Sequence, residues 1–241
     1  MSITETFKIN SLDISKLSGR VNIKPHEEKE ILIKTTNEDK IDVVRTGSTL
    51  KIKTKENEHS NKKSFLNIFG GNNSFKNTNF QGNIVINGQV FSGNNISELT
   101  EVDMDIFVPK NQIDSIDISG VIKVNVDNIS NSINIDSSGQ TQITSSRISN
   151  IKIDVSGQSK AIVRDIEKLL GDISGQSKID IQGAKISKVG LDISGQSDSK
   201  IVSDSIEELA ADLSGMSKLT VYGEVKNKDI DKSGLSEITF K

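Results

Sequence analysis

Seven aspartates recur at one fixed place in the second half of this 241-residue chain: Asp117, Asp136, Asp154, Asp172, Asp192, Asp212 and Asp231. Each stands three residues before the glycine of a Ser-Gly pair, at Gly120, Gly139, Gly157, Gly175, Gly195, Gly215 and Gly234. A carboxylate repeated in space can form a stripe that binds cations or a ligand. It can also accept backbone N–H groups at a chain corner, as Asx turns do. Repetition at every unit favours the corner role. Gln140, Gln158, Gln176 and Gln196 follow four of the glycines and would stack as an amide ladder. Val121, Met216 and Leu235 take that place in the outer units. Lys160, Lys178 and Lys218 lie close to the aspartates in sequence and would offset their charge as a solvated face. Ser156, Ser174 and Ser194 read as turn formers, because a serine nucleophile needs a neighbouring base. Both histidines, His26 and His59, lie outside the repeats, in polar segments that read as surface.

The rest of the composition narrows the chemistry further. With no cysteine there is no disulfide framework, thiolate metal site or cysteine nucleophile. Two histidines cannot build a polyhistidine metal centre within one chain, and no cofactor motif occurs. Thirty basic against 33 acidic residues give a net charge of −3, so there is no global basic field for nucleic acid. No segment approaches the roughly 18 apolar residues of a membrane span. Polysaccharide-cleaving β-helices need two carboxylates in different environments plus a cation. Here the aspartates form a uniform stripe, and arginine is confined to Arg20, Arg45, Arg147 and Arg164. These features point away from an enzyme.

The spacing of the glycines tells what must position these residues. Successive intervals are 19, 18, 18, 20, 20 and 19 residues. A repeat of that length is one supersecondary unit that buries its apolar side only by stacking on its neighbours. Within each unit the apolar residues alternate with period two, as in strands: Ile153 and Val155 face one way, Asp154 and Ser156 the other. Further apolar columns run through Ile129, Ile148, Ile166, Ile186 and Ile206, and through Ile133, Ile151, Leu169, Val189 and Leu209. The predicted fold is all-β: a parallel β-solenoid, or single-stranded β-helix, of 18–20-residue coils preceded by irregular β-strands. The briefly helical-looking segments 166–170 and 205–211 are read as strand connections, because the period holds them in the same slot. A nine-residue Gly/Asp calcium repeat does not match this period.

The expected organisation is one elongated domain: an N-terminal β region over 1–108, with a polar insertion at about 56–100, and seven coils over 109–241. The strands of residues 1–55 are expected to pack on the solenoid or extend it. In the insertion, GNIVINGQVF reads as two strands around Asn87-Gly88. Phe65, Phe69, Phe75 and Phe80 would there form a cap over the open coils or an interaction patch. In the last unit Lys232 falls at a core-facing position, which reads as a charge set against end-to-end pairing. The start of the chain lacks a basic segment followed by an apolar one, which reads as cytoplasmic, or as a secreted domain whose leader has been removed.

The order of segments is also familiar. FKI…LSGRVNI, GSTLKIK and VDMDIFVPKNQIDSIDISG precede the SGQS repeats. This order resembles the bacterial "putative auto-transporter adhesin, head GIN domain" family and its related adhesin domains. The resemblance extends over nearly the whole chain, most firmly over 101–241. It implies a β-helix-like fold and brings no catalytic motif with it. The expected function is a non-enzymatic, adhesin-like scaffold or binding module contacting a protein or glycan partner, as a monomer or small homo-oligomer. The alternatives are a cytoplasmic structural protein that polymerises through its coil ends and, behind it, a polysaccharide-acting β-helix enzyme.

Overall fold

The computed structural model describes residues 2–3, 9–55, 65–67, 83–86, 89–92 and 101–241. The chain forms two compact units, one of Met1–Thr54 with Glu101–Lys241 and one of Lys55–Thr100. It is nearly all β, a parallel solenoid of about six turns.

In the larger unit the chain winds between two sheets. One stacks Ser132–Gly139, Asn150–Val155, Lys168–Ile173 and Lys185–Ile193 in parallel. The other stacks Gln142–Ser146, Lys160–Arg164 and Lys178–Gln182. The longer strands Ser115–Asp127, Asp198–Leu213 and Lys218–Lys232 bend through a corner and serve both sheets. Residues 168–173 and 198–213 are strands, so 205–211 lies inside a strand and 166–170 is a connection only at Ile166 and Glu167. Period-two alternation sends Ile153, Val155, Ile173 and Ile193 into the space between the sheets, where they are fully buried. Each such β-branched side chain contributes roughly 1.5–3 kcal/mol relative to exposure. The column Ile129, Ile148, Ile166, Ile186 and Ile206 closes the far corner and is buried throughout.

The change of period from 18 to 20 has a defined location. Arg164 and Lys168 oppose Gln182 and Lys188, so the later coil carries two more residues in its second corner. The Ser-Gly corner itself does not change, and its backbone shows why. Gly157 and Gly175 have φ of +81° and +75°, a region costly for residues with a Cβ. A Cβ on any glycine from Gly139 to Gly234 in this column would also stand 2.5–2.8 Å from the carbonyl oxygen of the preceding one. That oxygen accepts the next coil's backbone N–H: Gln176 donates to Gly157 at 2.8 Å. Both the turn and the stacking contact thus require glycine.

The N-terminal strands extend the solenoid. Ser11–His26 lies parallel to Ser115–Asp127, with Asp13 opposite Asp117 and Val21 opposite Val124. Ile14 to Leu17 spans three steps where Ile118 to Gly120 spans two, and the extra residue is absorbed near Lys16, at φ +56°. Thr49–Thr54 and Glu101–Pro109 continue the two sheets beyond Ser11–His26. Ile41–Thr46 and Ile31–Thr35 then pair antiparallel on the outside and end the parallel stack. At the opposite end Leu209 and Leu213 are followed by Lys228 and Lys232. Lys232 is exposed, and the Lys228 ammonium lies 4.1 Å from the Phe240 ring centroid. Cations at core-facing positions make this open edge a poor template for another strand.

In the smaller unit, Phe65–Asn67 pairs parallel with Asn83–Ile86, which forms a hairpin with Gln89–Ser92. The two strands around Asn87-Gly88 are as expected. Phe69, Phe75 and Phe80 lie outside the described residues, and for Phe65 only the backbone is described.

Candidate functional site

The aspartates occupy mid-strand positions on the outer face of the first sheet, not corners. Parallel register places Asp13, Asp117, Asp136, Asp154, Asp172, Asp192, Asp212 and Asp231 directly opposite one another in turn. Neighbouring strands are about 4.8 Å apart, so eight carboxylates form one line. Among the described residues none of their oxygens accepts a backbone N–H; the corner N–H groups go instead to carbonyls of the preceding coil. The column is therefore a surface feature and the corner role does not apply.

At its N-terminal end the column lines a groove of about 310 Å³, with Asp13, Asp117, Asp136 and Asp154 beside Ser119, Ser138 and Ser156. Partial burial and the neighbouring carboxylates Asp136 and Asp13 raise the pKa of Asp117. Burial, Asp172 and Asp136 do the same for Asp154. The Lys51 ammonium stands 3.8 Å from Asp13. Among the described residues no three acidic or histidine side chains converge as metal ligands.

A raised carboxylate pKa sets the sign of a pH effect. The folded chain holds these protons more tightly than the unfolded chain. The resulting stability is present below the ordinary aspartate range and is lost as pH rises through the folded value. Asp136 neighbours both shifted groups, so Asp136→Asn should stabilise the fold at pH 7 and do little at pH 3. The gain is about 1 kcal/mol or less for solvated charges, or up to about 2–4 °C in a thermal melt. Equal melting at both pH values would show that the column carries no repulsion.

The lysines stand elsewhere. Lys160, Lys178 and Lys218 belong to the second sheet, across the glycine corner, and pair along the stack with Asp180 at 3.2 Å, Asp198 at 3.4 Å and Glu237 at 3.5 Å. They do not offset the aspartate column. The glutamines Gln140, Gln158, Gln176 and Gln196 are exposed at the glycine corner. Gln158 and Gln176 meet through their amides at 3.4 Å, the one side-chain contact of that ladder among the described residues. The next residue in each unit forms a column that inspection of the repeat passed over. Thr141, Ser159, Ser177, Ser197 and Ser217 are buried, and several donate to carbonyls of the preceding coil, Ser217 to Ile193 at 3.3 Å.

A second polar cluster lies on the outer face of the second sheet. Asn125 donates to Asn22 at 2.7 Å, and Asn22 to Asp105 at 2.8 Å. The Asn22 amide and the Lys24 ammonium, 3.0 Å away, hold Asp105 below the usual carboxylate range. Lys24 and Lys34 flank the Phe107 ring, and His26 meets its edge at 6.3 Å. His26 is half-buried, with Nε2 enclosed, rather than a surface residue. No spacing in the sequence announces this cluster, because its members are about 80–100 residues apart.

A further groove of about 250 Å³ lies on the first sheet beside the aspartates, with Lys152, Lys168, Leu170 and Lys188 in its lining.

The fold has counterparts in known proteins. The family described as "Putative auto-transporter adhesin, head GIN domain" matches residues 14–185. The chain belongs to that family. The match takes in Ser11–His26 almost whole, in keeping with that strand's place in the stack, and stops inside the seven-unit array. Three solved structures share the architecture, and at such low identity the likeness is one of fold. A "putative adhesin" from Bacteroides fragilis superposes with a TM-score of 0.66 at 12% identity, covering 100% of this chain and 96% of that one. A "putative adhesin" from Parabacteroides merdae gives 0.54 at 10% identity, with 100% and 95% covered. A "Putative lipid binding protein" from Parabacteroides distasonis gives 0.53 at 14% identity, again with 100% and 95% covered. No curated protein matches in sequence. This member of the adhesin family is thus a side-chain lattice on two stacked sheets, with its longest column acidic.

Proposed function

We propose that the chain is a non-enzymatic, adhesin-like β-helix scaffold that binds a protein or glycan partner through its outward columns. One observation carries this reading: identical side chains repeat in register across many coils on a flat face. Such a face offers a linear partner the same contact again and again, so weak contacts add along its length. The aspartate, glutamine and lysine columns are the contact elements, and Phe65, Phe69, Phe75 and Phe80 of the smaller unit a second candidate patch. The family's adhesin description supports binding without turnover; because Asp117 and Asp154 hold their protons more tightly than an ordinary carboxylate, the column is also where turnover would have to arise.

The family's adhesin description favours display at the cell surface or secretion over a cytoplasmic place. Among the described residues no helix is long and apolar enough to cross a membrane. Lys228 and Lys232 at the open end favour a monomer or small homo-oligomer over a filament. The test is retention of the full chain on arrays of bacterial and host glycans and surface proteins. Retention that weakens when alternate aspartates of the column are changed to asparagine supports the reading. Retention of nothing at high chain density overturns it.

A further inference from the structure

The outer face of the first sheet carries one place where the columns change character. Next to the acidic line, Asn134 is followed in register by Lys152, Leu170 and Gly190. On its other side Asn150 is followed by Lys168 and Lys188. All of these but Gly190 line the groove of about 250 Å³. Leu170 is 50% exposed and places an apolar surface among the polar residues of this face. Its side chain lies over Gly190, where a Cβ would come within 2.9 Å of Leu170 Cδ2, so the glycine makes room for the leucine to lie against the sheet. Lys188 pairs with Glu208 at 3.3 Å, whereas Lys152 and Lys168 have no ion-pair partner among the described residues.

We propose that this groove binds a hexuronate unit of an acidic polysaccharide. Lys152 and Lys168 hold the carboxylate, the sugar's C–H face covers Leu170, and the amides of Asn134 and Asn150 meet its hydroxyls. The assignment rests on the glycan-binding reading above and gives it a site. Three observations choose this occupant. The two unpaired ammonium groups call for an anion. The mixture of one apolar patch with amides that both donate and accept suits a polyhydroxylated ring. The floor lies in the middle of a sheet whose backbone groups are already bonded to neighbouring coils. An extended peptide, which binds sheets through main-chain hydrogen bonds at an edge, therefore has no purchase here.

The experiment titrates the full chain with tetragalacturonate by calorimetry, beside uncharged maltotetraose and a short poly-glutamate of equal charge. Lys152→Gln/Lys168→Gln should weaken tetragalacturonate binding tenfold or more. Leu170→Asn, which removes the apolar patch and keeps every charge, should weaken it severalfold. Both variants lie on an exposed face and should melt within about 2 °C of the wild type. Maltotetraose and poly-glutamate should each bind at least tenfold more weakly than tetragalacturonate. The proposal is overturned if tetragalacturonate does not bind, if the double variant binds it as the wild type does, or if poly-glutamate binds equally well. The scaffold reading fails separately, when the arrays retain no glycan and no protein; retention of some other glycan leaves it standing while the groove assignment falls.

Discussion

Ile173→Asp is expected to destroy or nearly destroy the folded state of the larger unit. Ile173 is fully buried between the two sheets, with Val155 and Ile193 as its in-register neighbours. Among the described residues the buried polar side chains are serines and one threonine, with no buried cation, so the new carboxylate would lack a charge partner. An uncompensated buried charge costs about 3–5 kcal/mol, and the lost isoleucine packing adds roughly 2–5 kcal/mol. Together these approach the 5–15 kcal/mol that separates a typical folded domain from its unfolded chain. The new carboxyl would be held protonated in the fold, its pKa raised, so part of the loss should be recovered as pH falls through that raised value toward the ordinary aspartate range. Urea unfolding at pH 7 and pH 4 measures both effects. An unchanged midpoint would contradict the placement of this column between the sheets.

The second large effect concerns the glycine column. Gly175→Ala places a methyl group at φ +75°, 2.7 Å from the Gly157 carbonyl oxygen and 3.1 Å from its nitrogen. The left-handed conformation alone costs about 1–2 kcal/mol. The collision is with backbone, which cannot swing aside without disturbing the 2.8 Å bond from Gln176 N–H to the same oxygen. The total should therefore exceed about 3 kcal/mol, within the large-effect range for a strained backbone position. Gly47→Ala separates the two contributions. Gly47 has φ +62° but nothing within 4 Å of its would-be Cβ, so it should lose only the conformational part. Similar losses at both positions would mean that coil-to-coil contact does not select glycine.

Where the sequence was legible, one physical signal was repeated often enough to read. The inward-facing residues Ile153, Val155 and Ile173 follow from alternation within a unit, and stacking follows from the 18–20-residue period. Asp13 escapes because one extra residue near Lys16 breaks the local match to the later units, and the 88 residues between His26 and Ser115 separate that coil from its partner. Lys160, Lys178 and Lys218 were misjudged for a geometric reason. They are near the aspartates along the chain, yet the glycine corner turns them onto the other sheet, where Asp180, Asp198 and Glu237 receive them. The Asn125–Asn22–Asp105 contact and the seat of Leu170 over Gly190 depend on which strands become neighbours. That is a property of register rather than of any local motif.

The central functional claim is binding without turnover, and one measurement meets it directly. A polysaccharide retained by the immobilised chain is incubated with the protein at equimolar concentration, and its reducing ends and chain length are followed. The account predicts retention with no new reducing ends and an unchanged length distribution. Release of shorter chains at a rate abolished by Asp136→Asn or Asp154→Asn would show that the acidic column is catalytic and would contradict it.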